Sequence, residues 1–262
     1  MDRRRKSACV TDQEIQLATK TVGRKTSEQR TSADGKPIQN EILLAISDAE
    51  FRAVRPHLAF VNFRSHLILH EAHRKLKFFY FPNSGLISLV VVLNQGKTVE
   101  AGIVGKEGVT GMPAAAGLTR SPLREVVQIA GDGFRIKVDV FKRILADNPQ
   151  LRNTVNRYIM LLGMQVAQTA ACNRLHDVEE RLARWLLMAA DRVESGVLPI
   201  THDFLATMLG TDRPSVTLAA GNLQKLRLIQ YRRSSVKIID RAGLIKFACE
   251  CYGVIRRYTC DF

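Results

Sequence analysis

The sequence predicts an α+β fold with a β-rich N-terminal half, a long central helix, and a C-terminal pair of short helices followed by a β-hairpin. Three observations support this prediction. Brief apolar runs separated by Gly, Pro and Asn fill residues 41–138, and an apolar period of alternating four and three residues runs through 150–171 without a proline. Two short amphipathic segments then meet at Gly210, ahead of an alternating segment at 228–240.

Composition places the chain among ordinary globular proteins. Of its 262 residues, 46% are hydrophobic and 24% charged, and the formal net charge is +14. No apolar run approaches the ~18 residues of a membrane span, and no apolar stretch follows the basic N-terminus as in a secretory signal. The 5 cysteines are an odd number and form no disulfide framework. We therefore expect a cytoplasmic protein without a membrane partner.

The basic charge is concentrated at the C-terminal end. Residues 211–262 carry ten basic and four acidic side chains, whereas residues 151–210 carry six of each. A basic end beside a neutral middle indicates a polyanion partner, and a merely solvated basic face is the equal alternative on charge alone.

The N-terminal half divides into two regions. Residues 1–40 are rich in Thr, Ser, Lys and Arg without an apolar period, which predicts a disordered basic arm. Residues 41–138 begin with a short helical stretch and continue as seven apolar runs separated by turn residues. Short strands at this spacing are typical of a sandwich or a rolled barrel.

Residues 139–171 predict a short helix ending at Asn148-Pro149 and then a long one. An apolar seam recurs on the long helix with the spacing of a paired helix, and we expect a homodimer through it. Its residues are Val155, Ile159, Leu162 and Val166. A helix buried wholly within one chain is the alternative.

Residues 172–262 contain the spacing of a helix-turn-helix. Ala206 is a small residue for the helix crossing, Gly210 lies in the turn four residues later, and Val216 follows six beyond. Thr201 is a suitable N-cap, and Pro214 falls in the first turn of the second helix, where a missing N–H costs little. An ordinary helical hairpin is the alternative.

A basic hairpin follows the second helix. Residues 228–240 alternate as two strands with a predicted turn near Ser234-Ser235, flanked by Arg232, Arg233 and Lys237. A basic hairpin in this position is typical of a wing that contacts phosphates beside a groove.

Four motifs carry a resemblance to a known family. They are YFPNSG at 80–85, VGKEG at 104–108, NP at 148–149 and GTDRPSVT at 210–217. Through them, residues 41–250 resemble the Crp/Fnr family of bacterial transcription regulators. The resemblance implies a cyclic-nucleotide-binding-like β-roll, a dimerisation helix and a winged helix-turn-helix. It further implies a homodimer that reads a pseudo-palindromic double-stranded DNA site, with RNA polymerase as a further partner.

The resemblance also implies which residues meet DNA. Arg213 aligns with the family's guanine-reading Arg, but Pro214 and Leu218 replace the Glu and Arg that follow it, so the target sequence differs. The implied base readers are Arg213, Ser215 and Thr217. The implied phosphate contacts are Thr201, His202, Thr211 and the wing residues Arg232, Arg233 and Lys237.

The effector positions depart from the nucleotide-binding members. Their Gly-Glu-Leu reads Gly111-Met112-Pro113 here, and Leu123 takes the place of the phosphate-binding Arg. Arg120 and Arg124 are near but out of register, which leaves Gly111, Arg120 and Arg124 as a degenerate effector pocket. We therefore expect no cofactor and no cyclic-AMP binding, because ligand polar groups would be left unpaired. A roll that is only a scaffold is the alternative.

No metal site and no enzyme is expected. Cys249, Cys251 and Cys260 read as incidental cysteines of a tail helix. His66, His70 and His73 lack the spacing of a cupin-like metalloenzyme, the rival from another class. No nucleophile-elbow, phosphate-loop or zincin motif is present.

Overall fold

The computed structural model describes residues 30–260, so residues 1–29 of the predicted arm lie outside the described residues. The arm was predicted to extend to residue 40, and this is wrong for residues 31–40. Thr31 and Pro37 form a β-bridge, and Ile38 and Asn40 are buried. Asn40 caps the first helix and donates its side-chain amide to the carbonyls of Lys106 and Gly108. Buried contacts order this segment despite its polar composition.

Two short helices and seven strands form the N-terminal roll. The helices are α1 (Glu41–Ala45) and α2 (Asp48–Val54). The strands are β1 (Ala59–Phe63), β2 (Ile68–His70), β3 (Phe78–Pro82), β4 (Leu86–Val92), β5 (Thr98–Val104), β6 (Leu123–Ile129) and β7 (Gly131–Lys137). They pair antiparallel in two sheets of order β1–β7–β3 and β2–β6–β4–β5. The seven apolar runs of the sequence correspond to these strands.

Aromatic side chains close one end of the roll. Helix α3 (Val138–Asp147) follows β7 directly and inserts Phe141 edge-on against Phe79 and Phe81, at ring-centroid distances of 4.7 and 5.3 Å. All three rings are fully buried, so α3 is held against the roll by apolar packing.

The long helix α4 (Pro149–Leu175) has 27 residues and lies along the roll. Its residues Val155 and Leu162 are buried in the core of their own chain. The side chain of Gln165 donates to the carbonyl of Ile103 in β5 at 3.2 Å, which fastens the middle of the helix to the sheet.

The C-terminal part contains five helices and a small antiparallel sheet of order β8–β10–β9. The helices are α5 (Val178–Val193), α6 (His202–Leu209), α7 (Arg213–Lys225), α8 (Arg241–Phe247) and α9 (Cys251–Cys260), and the strands are β8 (Val197–Leu198), β9 (Ile229–Arg232) and β10 (Ser235–Ile238). None of the helices within residues 30–260 combines the length and apolarity that a membrane crossing requires.

The C-terminal helices share a core with the roll. Ile103 of β5 belongs to the same buried cluster as Leu205 and Met208 of α6. Trp185 of α5, the chain's single tryptophan, donates its indole N–H to a carboxylate oxygen of Glu100 in β5 at 2.7 Å. Burial raises the pKa of Glu100 to about 7. A titratable side chain therefore lies at the contact between the two parts.

Candidate nucleic-acid interface

The turn between α6 and α7 has the geometry that the sequence spacing predicts. The Thr201 hydroxyl accepts the Phe204 N–H at 3.3 Å and begins α6. Gly210 ends it in the left-handed conformation, with φ +59°, and its N–H bonds to carbonyls of the last turn. A Cβ on Gly210 would lie 2.9 Å from Val99 Cγ2, so this position requires glycine both for backbone conformation and for space. The helix-turn-helix is confirmed.

Helix α7 buries one face and exposes the other. Its buried residues are Val216, Ala219, Ala220 and Leu223. The opposite face forms a shallow groove, lined by Arg213, Pro214, Thr217, Leu218, Gly221, Asn222 and Lys225. Leu218 is 66% exposed, which is unusual for a leucine on a helix of a packed domain. The sequence analysis named Leu218 only as a replaced position; spacings of three and then four residues from Leu218 would have identified Gly221 and Lys225, which it did not name.

Arg213 occupies the first position of α7 and points into solvent. Its side chain is 65% exposed, and one guanidinium nitrogen lies 3.3 Å from an Asp203 carboxylate oxygen. An exposed ion pair of this kind contributes ~0–1 kcal/mol, so the guanidinium is available to another acceptor.

The hydroxyls of Ser215 and Thr217 already have partners within the chain. The Ser215 N–H and hydroxyl both donate to the Asp212 carboxylate, at 2.7 and 3.0 Å, and these bonds lower the pKa of Asp212. The Thr217 hydroxyl donates to the Arg213 carbonyl at 3.0 Å. Ser215 is therefore a capping residue, and a base contact by its hydroxyl would require breaking this cap.

His202 is the first residue of α6 and is half-buried, with its Nδ1 3.0 Å from the Thr217 hydroxyl oxygen. Its ring lies 4.0 Å from the Tyr231 ring, and its Nε2 is buried without a hydrogen-bond partner in the described part of the chain. Burial, and after it the neighbouring Arg213, lowers the pKa of His202 below its usual value. Among the predicted phosphate contacts, His202 is thus a half-buried side chain whose charged form is disfavoured.

The hairpin of β9 and β10 places its basic residues at the surface beside α7. Arg232, Arg233 and Lys237 are all exposed. Ser235 pairs with Arg232, so the turn lies at Arg233-Ser234, one residue earlier than predicted. Of the other predicted phosphate contacts, Thr201 is exposed and Thr211 is half-buried.

The three positions of the predicted effector pocket do not converge. Gly111 is buried, and its N–H donates to a carboxylate oxygen of Glu125 at 3.0 Å. The other oxygen of Glu125 lies 2.6 Å from His70 Nδ1. Arg124 pairs with Glu71 at 2.9 Å, and Arg120 is exposed. The Gly111 N–H and the Arg124 guanidinium therefore already pair with carboxylates of the chain.

A cavity of about 370 Å³ lies elsewhere, between α4 and α9. Polar side chains of Glu107, Gln165 and Arg192 reach it, and Arg192 donates to the other two at 2.8 and 2.7 Å. The sequence analysis missed it because α9 meets α4 only in the tertiary structure.

The predicted dimer seam is wrong for two of its four residues. Val155 and Leu162 are buried against the roll of their own chain, and Ile159 and Val166 are half-buried. The exposed large apolar side chains in the middle of α4 are instead Met160 and Met164, at 64% and 47%, and Leu175 at its end is also exposed. The seam was assigned to the wrong residues because α4 also has to cover the roll. The residues that follow the apolar period most regularly are the ones that pack against the roll.

Two predictions concern metal ligands. His66 and His73 are exposed while His70 is buried against Glu125, so the roll histidines form no shared site. Cys249 and Cys251, expected to be incidental, lie beside Cys172 and His176. Cys172 and His176 have the spacing Cys-x-x-x-His in the sequence. This spacing could not be recognised as half of a ligand set, because the sequence does not show that Cys249 and Cys251 lie beside the end of α4.

Comparison with known proteins agrees with this architecture. Residues 180–247 match the family model of the Crp-like helix-turn-helix domain. No curated protein sequence matches the chain.

Solved structures share the fold at low sequence identity. A transcriptional regulator of the CRP/FNR family from Thermus thermophilus is 18% identical, with a TM-score of 0.61, over 72% of this chain and 98% of that one. FixK2 of Bradyrhizobium japonicum is 13% identical, with a TM-score of 0.63, over 73% and 98%. The c-di-GMP-responsive global regulator CLP of Xanthomonas campestris is 14% identical, with a TM-score of 0.62, over 73% and 99%. Residues 180–247 therefore form a Crp-like helix-turn-helix domain, and the chain shares the fold of solved structures from the Crp/Fnr family.

Proposed function

We propose that the chain is a cytoplasmic transcription regulator that binds a pseudo-palindromic double-stranded DNA site as a homodimer, with RNA polymerase as a partner at promoters. The observation that carries the proposal is the exposed face of α7, which presents Arg213, Leu218 and Lys225 in one groove. A helix of this kind in a helix-turn-helix enters the major groove with its N-terminal residues at the base edges.

Within this interface, one group of residues is suited to contact base edges and another to contact phosphates. Arg213 is at the N-terminal end of α7, where a guanidinium can contact guanine O6 and N7 together. Leu218 lies on the same face one turn later and fits the methyl group of thymine. Arg232, Arg233 and Lys237 are exposed on the hairpin and suit phosphates, which carry no sequence information.

Dimerisation is proposed through the exposed strip of α4. Met160 and Met164 lie on it, and Gly163 and Ala167 between and beyond them are small and exposed. Small residues allow a second α4 to approach closely, while the methionines adapt to the partner surface. A two-fold axis along these helices would present two copies of α7, which is the symmetry of a pseudo-palindromic site.

Cyclic AMP is not the proposed effector. Support comes from the carboxylate of Glu125, which already accepts the Gly111 N–H, and from Arg124, which is paired with Glu71. Leu123 stands where the family has its phosphate-binding Arg, so a cyclic phosphate at that position would lack the cation that offsets its charge. The roll then serves another effector or acts as a scaffold alone. Calorimetric titration with cyclic AMP is expected to show no micromolar binding.

Selection of bound sequences from a random pool of double-stranded DNA tests the function. A pool that converges on an inverted repeat supports a symmetric DNA reader, and a pool that stays random contradicts it. The selected duplex then allows Arg213→Ala to be compared with Arg232→Ala at several salt concentrations.

The two arginine variants are expected to have different effects on DNA binding. Arg213→Ala should weaken the selected duplex by about 1–3 kcal/mol per half-site and relax one base position. Arg232→Ala should weaken selected and scrambled duplexes equally and lower the salt slope by ~1 for each phosphate that the variant no longer neutralises. Arg64→Ala, an exposed arginine of the roll, is the matched control. Equal weakening of both duplexes by Arg213→Ala would contradict its role as a reader.

A further inference from the structure

Four metal-ligand side chains meet where α4 ends. Cys172 lies in the last turn of α4 and His176 directly follows that helix, while Cys249 lies between α8 and α9 and Cys251 is the first residue of α9. One ligand atom from each of the four lies within 4.8 Å of all the others. The three cysteines are buried and His176 is largely so, which sets this cluster apart from exposed acidic groups.

The spacing of these atoms fits one tetrahedral metal ion. Metal–sulfur and metal–nitrogen bonds of ~2.3 and ~2.0 Å place the ligand atoms of a tetrahedral zinc site ~3.8 Å apart for two sulfurs and ~3.5 Å for sulfur and nitrogen. Cys172 Sγ is 3.4 Å from Cys249 Sγ, and Cys251 Sγ is 3.7 Å from His176 Nδ1. We propose that Cys172, His176, Cys249 and Cys251 bind one zinc ion in a Cys₃His site.

Two other interpretations of the cluster fit less well. A disulfide requires ~2.05 Å between its sulfurs, well below the 3.4 Å of Cys172 and Cys249. A polynuclear iron–sulfur cluster distributes its ligands over several irons and needs a wider cage than four atoms within 4.8 Å. A single tetrahedral ion with soft ligands is the chemistry of structural zinc.

The surroundings of His176 provide an independent observation. Its Nδ1 faces Cys251, and its Nε2 lies 3.1 Å from a carboxylate oxygen of Glu250. A metal-bound imidazole commonly donates its other N–H to a carboxylate, which fixes the tautomer and orients the ring. Glu250 lies between the two cysteine ligands in sequence, so the same turn supplies two ligands and this supporting carboxylate.

Charge at the site is also compensated. Zinc with three thiolates and a neutral imidazole carries one net negative charge, which is costly to bury alone. Arg181 and Arg184 of α5 are buried, at 7% and 3% exposure, and act electrostatically on Cys172. The Nε atoms of both arginines have no hydrogen-bond partner in the described part of the chain. Arg181 donates to the Leu209 carbonyl and Arg184 to the Thr169 hydroxyl, which are neutral acceptors, so a buried anionic metal centre would supply a counter-charge for both cations.

The zinc ion would cross-link the end of α4 to the C-terminal segment. The ligands of α4 directly precede its junction with α5, and those near α9 belong to the other end of the C-terminal part. Zinc therefore ties the junction to the C-terminal segment and restricts how the helix-turn-helix is held against α4. This consequence rests on the proposed function, whereas the metal site itself does not.

Metal content of the full-length protein is the first measurement. The chain is purified without a polyhistidine tag under reducing conditions and analysed by inductively coupled plasma mass spectrometry. We expect about one zinc ion per chain. After removal of zinc, cobalt(II) should bind at the same stoichiometry, with the intense visible bands of tetrahedral cobalt and a thiolate-to-cobalt charge-transfer band in the near ultraviolet. Zinc should then displace cobalt.

Variants test the ligand set. Cys251→Ser and His176→Ala should lose most of the zinc, whereas His176→Cys should retain it and increase the thiolate-to-cobalt absorption. His57→Ala, an exposed histidine of the roll, is the matched control and should retain the full content. Circular dichroism of each variant shows whether a loss of metal is accompanied by a loss of fold. The cobalt titration of the wild-type protein tests the site even where a variant is unfolded.

Several results would overturn the proposal. They are a wild-type protein without zinc and without tetrahedral cobalt bands, a Cys251→Ser protein that is folded and fully loaded, stoichiometric iron with cluster absorption, or a Cys172–Cys249 disulfide in the reduced preparation. The effect of this cross-link on DNA binding is tested separately, by comparing the affinities of the zinc-loaded and the zinc-depleted protein for a selected duplex. A failure of DNA binding in both forms contradicts the proposed function and leaves the zinc measurement unaffected.

Discussion

The substitution Glu100→Gln is expected to remove a loss of stability that the protein undergoes as the pH rises towards neutrality. Glu100 lies at the contact between β5 and α5, where one carboxylate oxygen accepts the Trp185 indole N–H and the other contacts the Ser88 hydroxyl. Burial raises its pKa from 4.5 to about 7, and the bonds from Ser88 and Trp185 reduce that rise without cancelling it. The protonated form is therefore the one that the fold favours.

The sign and the size follow from proton uptake on folding. The unfolded chain releases the Glu100 proton near pH 4.5, whereas the folded chain keeps it until about pH 7. Between these two values this group lowers the free energy of unfolding by about 1.4 kcal/mol per pH unit. Its contribution, on the order of 3 kcal/mol, is fully present below the lower value and lost above the upper one. Glutamine keeps an acceptor for Trp185 and can donate to Ser88, so the variant should not show this loss.

Urea unfolding between about pH 5 and about pH 8 measures the effect. The wild type should lose stability over this range, and Glu100→Gln should show a difference from it that grows with pH. Glu194→Gln, at an exposed glutamate with a surface ion pair to Lys106, is the matched control and should follow the wild type. Parallel pH profiles for the wild type and Glu100→Gln would refute the reasoning.

Three further predictions concern packing and association. Leu162→Ala should lower the free energy of unfolding by about 2–4 kcal/mol, whereas Met160→Ala on the exposed face should change it by less than about 0.5 kcal/mol; equal losses in chemical denaturation would contradict the orientation of α4. Gly210→Ala should cost about 1–3 kcal/mol because the position combines a positive φ with close approach to Val99, and an unchanged melting temperature would contradict that strain. Met160→Glu should give a monomer by sedimentation while Leu118→Glu, at an exposed leucine of the roll, leaves the oligomeric state unchanged; a dimer that survives Met160→Glu would exclude this strip as the interface.

Local sequence signals determined most of the architecture. The helix-turn-helix could be predicted because its requirements are short-range: a cap at Thr201, a left-handed glycine at Gly210 and a tolerated proline at Pro214. The strands could be predicted because apolar runs alternate with turn residues. Their boundaries shifted by one to three residues, as for β7, which begins at Gly131 rather than at Phe134.

The tertiary structure alone decided which surfaces those elements use. An apolar period shows that α4 buries a face but does not say against what, so Val155 and Leu162 were assigned to a partner chain although they cover the roll. Residues 31–40 are polar in composition, and their order depends on contacts made by Ile38 and Asn40 with distant segments. The cysteine–histidine cluster joins positions 77 residues apart in the chain, Cys172 and Cys249. Periodicity and capping act over a few residues and can be read from the chain, whereas a ligand set, a cavity or a seam depends on which distant segments the completed fold brings together.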